Sequence, residues 1–300
     1  TVNVGLFGHI GESGSGDGVE IKNIELTQVD IKGARGTGSL VGRVTGDENT
    51  FISRCYANKG TVTGDGATGG LVGSNNSHVT NPSNKSHHPT IQYSYADVSV
   101  SWSTSGNGDK IGGLAGCNQK GKIFYSYARG SVTVDNSGGQ TSPTPERVGG
   151  LAGCILIRGY IINSYSTGGV STSGTVHMVG GFVGSGGTGG SNGDTENCFW
   201  DTETSDQSSS SPSSGCTGKT TSEMQTQSTF TDAGWDFIEE TANGTDDIWK
   251  ISVTYPHFAR YVPPIQASEV GYSAGGSGSM DLTWTRGNGD GNRFEFRNCL

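Results

Sequence analysis

The chain has 300 residues, 52 of them glycine, and only 31 % are hydrophobic, so it has too little apolar material for two or three ordinary globular cores. Its net charge is −9 with no basic stripe, which excludes a nucleic-acid partner of the usual kind, and no apolar run approaches the ~20 residues that span a bilayer. The absence of a collagen period and the ordered clustering of apolar residues exclude a triple helix and wholesale disorder.

Taken in order, the chain repeats one glycine phrase. It opens loosely as VGLFG at 4–8 and returns as GSLVG at 38–42, GGLVG at 69–73, GGLAG at 112–116 and 149–153, and GGFVG at 180–184. Counted at the central Leu or Phe, the copies fall at positions 6, 40, 71, 114, 151 and 182. The uneven intervals come from spacers at 73–91 and 134–148, rich in Ser, Thr, Asn, Gly and Pro. Constant phrases with elastic spacers are the signature of stacked coils carrying loop insertions.

Residues 1–33 read as an opening coil with an alternating strand through Ile21, Ile24, Leu26, Val29 and Ile31. From 34 to 200 each coil holds a second phrase, Ile52…Cys55-Tyr56-Ala57, Ile91…Ser94-Tyr95-Ala96, Ile123…Ser126-Tyr127-Ala128 and Ile161…Ser164-Tyr165-Ser166, with a degenerate copy at Cys198-Phe199. The plan predicted is three strands per coil, with the glycine phrase as the third and glycine supplying positive φ at the corners. Such strands are too short for isolated hairpins, so parallel stacking must satisfy the backbone. The fold class expected is all-β, a right-handed parallel β-helix over 1–200. It carries a column of Leu40, Leu71, Leu114, Leu151 and Phe182 beside a column of Tyr56, Tyr95, Tyr127, Tyr165 and Phe199. Alternation with the isoleucines turns the tyrosines inward and the small residues Cys55, Ser94, Ser126 and Ser164 outward. An outward tyrosine ladder would instead form a sugar-stacking surface.

Six cysteines are too few to build a scaffold of this length. Cys117 and Cys154 each follow a GGLAG phrase, so they share a column on neighbouring coils. The ~4.8 Å rung spacing lies inside the ~4.4–6.8 Å window of a disulfide, and a bridge or a pair of stacked thiols both fit. Cys198 and Cys216 could close the serine-rich loop between them, whereas Cys55 and Cys198 lie too many coils apart to pair. Residues 201–262 carry 10 acids against 3 bases, while 1–200 are nearly balanced at 14 against 13. There the run at 208–214 reads as loop, Thr220 with Glu223 as a capping box for a short helix near 222–227, and Phe230, Trp235, Phe237, Ile248, Trp249 and Ile251 as an aromatic cap for the exposed end of the stack. Pro263-Pro264 is a linker, and 263–300 alternate as incomplete sandwich strands. The chain starts in mid-repeat and stops just after a new pattern begins, as a segment of a longer protein would.

Candidate chemistry is sparse. Hydrolytic or lytic β-helices need carboxylates converging at ~5–9.5 Å, but Asp30, Asp47, Asp65, Asp97, Asp109 and Asp135 fall mostly in turns and in different columns. Asp201 and Glu203 read as a solvated loop. His87-His88 lies in an inserted loop and points its rings apart, which suits no single metal. Asp290 lacks calcium-loop spacing, and no Gly-x-Ser-x-Gly elbow occurs. No catalytic residue, metal or cofactor is expected.

The five linked glycine phrases with their Ser-Tyr-Ala partners resemble the GLUG motif family, repeats of large bacterial cell-surface and secreted proteins. That family includes the non-catalytic part of some IgA-cleaving metallopeptidases. The order Cys198-Phe-Trp-Asp-Thr-Glu-Thr204, Gly234-Trp-Asp-Phe237, Trp249-Lys-Ile251 is similar to the segment that often follows such repeats, and 263–300 resembles the start of a fibronectin type III-like domain. The resemblance implies an extracellular solenoid without a reaction of its own. The expected role is an adhesin-like or stalk module binding glycan or surface protein through the solenoid face and the loops at 75–90 and 135–147. The rivals are a carbohydrate-active β-helix and the accessory arm of a surface metallopeptidase.

Overall fold

In the computed structural model, the described residues are 3–11, 18–77, 88–102, 110–138, 147–186, 193–212, 214–252 and 254–260, together with the strands Ala267–Ala274, Met280–Arg286 and Phe294–Asn298. The repeat region is a parallel β-solenoid. One six-stranded sheet runs from Asn3–Val4 through Gly36–Thr37, Ala67–Gly69, Lys110–Gly112 and Arg147–Gly149 to Met178–Gly180. A second six-stranded sheet runs from Phe7–Ile10 through Val41–Gly46, Val72–Ser77, Ala115–Gln119 and Ala152–Leu156 to Val183–Ser185. The third sheet is broader, beginning at Glu20–Lys32 and Phe51–Gly64 and ending at Cys198–Asp201 and Cys216–Lys219. The register joins like to like: Ile52 to Ile91, Ile91 to Ile123, Ile123 to Ile161, and Tyr56 to Tyr95 to Tyr127 to Tyr165.

The leucine column lines the interior. Leu40, Leu71, Leu114, Leu151 and Phe182 are fully buried, and each backbone N–H donates to the next member's carbonyl at 2.7–3.0 Å. Every such side chain removed from water contributes roughly 1.5–3 kcal/mol, so a thin core suffices. Leu6, in the first coil, is 39 % exposed.

The glycine phrase is a corner and not a third strand. Its first glycine ends a strand of the first sheet and its last is the second residue of a strand of the second, as with Gly112 and Gly116 around Leu114. None of these phrase glycines has positive φ. They are required because backbones meet: a Cβ on Gly112 would lie 2.2 Å from the Ala115 carbonyl oxygen and 2.6 Å from the Gly153 nitrogen. The second phrase position is held by a buried Ser39 in one coil, whereas a Cβ on Gly70, Gly113 or Gly150 would lie 2.1–2.2 Å from a carbonyl oxygen of the next coil.

Positive φ sits elsewhere, at glycines outside the phrases such as Gly11, Gly60 and Gly174, and on non-glycine residues. Arg54, Tyr93, Tyr125, Asn163 and Asn197 have φ of 53°, 48°, 44°, 47° and 50°, one per coil, between the isoleucine and the small residue. This left-handed step breaks the alternation, because one extra residue sends every later side chain to the other face. The small residues therefore turn inward and the tyrosines outward, the reverse of the alternation reading.

The inward serines satisfy the backbone at this step. Ser126 Oγ donates to the Phe124 carbonyl (2.7 Å) and accepts from the Ser94 N–H (3.3 Å), and Ser94 and Ser164 repeat the pattern. Cys55 and Cys198 fill the same column, with thiols donating to the carbonyls of Ser53 and Glu196. Ser126→Ala strands a buried N–H and a buried carbonyl, so it should lower unfolding free energy by about 1–3 kcal/mol. Ser126→Cys should retain most of that. Equal midpoints for all three proteins in denaturant titration would remove the serine ladder from the fold's support.

The end of the stack is closed by the serine-rich run. Gly181 N–H donates to the Ser209 carbonyl (2.9 Å) and Ser211 N–H to the Val183 carbonyl (3.0 Å), which pairs the last rung. Trp200 packs over Gly181. The helix at Thr221–Met224 begins with the Thr220/Glu223 capping box. The aromatic residues of 230–258, expected at that end, lie instead along the solenoid flank.

Candidate functional site

The tyrosine column stacks along the solenoid axis. Ring centroids are 4.7 Å apart for Tyr56–Tyr95 and Tyr95–Tyr127, and 4.9 Å for Tyr127–Tyr165. The chain then doubles back across it. Phe230 and Trp235 cover Phe199 and Tyr165, Trp249 covers Tyr165 and Tyr127, and Phe258 reaches Tyr127, Tyr95 and Tyr56. These residues form an aromatic layer separate from the solenoid's own core. The ladder is outward-facing yet covered, so Tyr56, Tyr127 and Tyr165 are buried and offer no open sugar-stacking surface.

Polar contacts fasten the returning segment. Arg129 lies over the Tyr127 ring at 4.6 Å and donates to the Pro256 carbonyl (2.7 Å) and the Tyr165 hydroxyl (2.7 Å), which itself donates to Pro256. Tyr255 donates to Asp201 (2.7 Å). Asp201, expected as a solvated loop residue, is fully buried. It caps the helix Thr202–Ser205 by accepting from the Glu203 and Thr204 N–H groups, and it holds the Thr221 hydroxyl. Glu203 accepts from the Thr221 N–H. These two carboxylates are spent on structure.

Burial holds the Tyr165 phenol up at about 12 and pushes Tyr127 and Tyr56 well above the ordinary 10.0. The folded values lie above the unfolded one, so their contribution is complete below pH 10 and is lost as pH rises past it. Near-ultraviolet circular dichroism should show cooperative loss of the aromatic layer across roughly pH 10–12, with no comparable transition between pH 6 and 9. Phenolate absorbance rising at the ordinary value, with the dichroism intact, would contradict this.

Cys117 and Cys154 are register partners, 4.8 Å apart at Cα, and form a disulfide. Cys198 and Cys216 are also register partners but are free and buried. The suggested loop-closing bridge is not made, since the Cys198 thiol donates to the carbonyls of Glu196 and Ile161. His88 is buried and meets the Tyr160 ring edge-on at 6.1 Å, and so is not part of an exposed loop. His87, Asp109, Asp290 and the insertion residues 78–87 and 139–146 lie outside the described residues. Among the described residues no group of three or more His, Cys, Asp or Glu is placed to hold a metal ion.

One groove of about 430 Å³ opens between the ladder and the returning segment, lined by Tyr95, Tyr127, Arg129, Lys250, His257 and Phe258 together with Ser252 and Thr254. Sequence reading passed over these groups. The available signal was the period-two series Lys250, Ser252 and Thr254, and the scarcity of bases in 201–262.

Fold and surface together define a parallel β-solenoid with a C-terminal segment folded back along one flank. Over 145 residues the chain is 38 % identical to a protein of Evansella cellulosilytica described as a "Putative Gly-rich membrane protein", a match that takes in 48 % of this chain and 14 % of that protein. No protein-family model and no solved structure matches the chain. No helix among the described residues is long and apolar enough to cross a membrane.

Proposed function

We propose that the chain is a non-catalytic, surface-displayed module of a larger bacterial protein, a GLUG-type solenoid acting as an adhesive stalk. The observation that carries this reading is that residues recurring from coil to coil are spent on stacking: the leucine column, the inward serines and the covered tyrosines. Surface variation is left to the inserted loops, which a rigid scaffold presents to partners. The inter-coil disulfide suits an oxidising compartment. The glycine-rich relative, described as a membrane protein and far longer than this match, supports placement at a cell envelope. The strands after 263 fit the beginning of a further sandwich domain of the fibronectin type III kind.

A glycan array combined with a cell-binding assay tests the adhesive role, and binding in either supports it. Silence in both reduces the role to a spacer. Release of reducing ends or unsaturated sugars from a polysaccharide panel would replace the reading with a carbohydrate-active enzyme.

A further inference from the structure

The groove beside the tyrosine ladder has the size of a small-ligand site (~300–1,000 Å³), and its charged lining has one sign. Arg129 comes from the solenoid and Lys250 from the returning segment, which also supplies the His257 ring. Lys250 and His257 are direct register partners across the antiparallel pair Trp249–Lys250 and His257–Phe258, so their side chains share a face. Among the described residues no carboxylate lines the groove, although the segment supplying that wall is the most acidic part of the chain. Lys250 makes no ion pair with a described residue. Burial, reinforced by Lys250 and Arg129, holds the His257 ring below the ordinary imidazole value, so at neutral pH it lines the groove as a neutral hydrogen-bonding group.

Tyr127 lines this groove, and its hydroxyl is a hydrogen-bonding group there, able to donate to or accept from an oxygen seated in the groove. Tyr95 and Tyr127 stack on each other, so they present edges and hydroxyls to the groove, not open faces. Recognition here works through charge and hydrogen bonds.

We infer that the groove binds an acidic sugar residue of a polysaccharide, its carboxylate held by Lys250 with Arg129 and its ring hydroxyls by Thr254, Ser252 and the Tyr127 phenol. This deepens the adhesive reading and rests on its glycan-binding half. Isothermal titration of the chain with trigalacturonate, its methyl ester and inorganic phosphate tests it. Trigalacturonate should bind. Methyl esterification should weaken binding at least tenfold, and phosphate at matched concentration should not compete. Lys250→Gln should weaken trigalacturonate binding about tenfold and Thr254→Val several-fold, with unchanged near-ultraviolet dichroism. Equal binding of acid and ester, or full affinity in Lys250→Gln, overturns the groove while leaving the adhesive role standing on another surface. Effective competition by phosphate makes this a general anion site and overturns the sugar. No binding of trigalacturonate overturns the inference; if the array and cell assays are silent too, the adhesive role falls with it.

Discussion

Trp249→Ala should lower the unfolding free energy by about 3–5 kcal/mol and lift the returning segment from the ladder. Trp249 is fully buried; its ring lies 4.7 Å from that of Trp235, 5.0 Å from Phe258, and just over 6 Å from Tyr165 and Tyr127. No neighbour on the rigid solenoid can move in to fill the space, so the cavity term adds to the lost transfer energy. Trp249→Phe separates packing from polarity. It keeps an aromatic ring and deletes an indole N–H that is buried without a hydrogen-bond partner among the described residues, so it should cost less than half as much. Denaturant midpoints and tyrosine exposure by solvent-perturbation spectroscopy provide the readout. Equal losses for the two variants would mean that the ring's volume is not what holds the segment down.

Gly112→Ala should be nearly as damaging, at about 3 kcal/mol, although it adds only one methyl group. The new Cβ would meet backbone on two coils at once: the Ala115 carbonyl at 2.2 Å, the Gly153 nitrogen at 2.6 Å and the Ala152 Cα at 2.7 Å. Backbone cannot rotate away as a side chain can, so two coils must separate. Gly138→Ala is the control, because nothing lies within 4 Å of a Cβ there, and surface substitutions of that kind stay within about 0.5 kcal/mol. Matching thermal midpoints for the two variants would show that these glycines serve chain flexibility and not close approach.

The contrast between these sites explains how much of the molecule could be read from residues alone. Stacking was legible because the glycine phrase recurs intact, so aligning Leu71, Leu114 and Leu151 in sequence aligns them in space. The shared column of Cys117 and Cys154 followed from that register, which left a bridge and two stacked thiols equally open, and the Thr220/Glu223 capping box is a purely local device. The direction of the tyrosines was not legible. It depends on a left-handed residue in each coil, and at Arg54, Tyr93 and Tyr125 the residue type gives no hint of positive φ. Asn163 and Asn197, a type that tolerates that conformation, were the available signal. The reversal of 230–258 along the flank was hidden for a different reason. Aromatic residues in a terminal segment satisfy either the open end or an outward aromatic ladder, and the choice turns on which face the tyrosines take. The groove followed from the same choice, since Arg129 and Lys250 meet only when the segment returns.

The most direct test of this architecture is a photo-cross-link from Phe258, 59 residues beyond Phe199 in sequence yet packed against the early coils. Replacing it with p-benzoylphenylalanine, irradiating, and mapping the joined peptides reports where the segment ends. The expected products join 258 to peptides containing Tyr56, Tyr95 or Tyr127. Products confined to the last coil, around 199–219, would show an end cap in place of a flank-covering strap and would contradict the covered ladder.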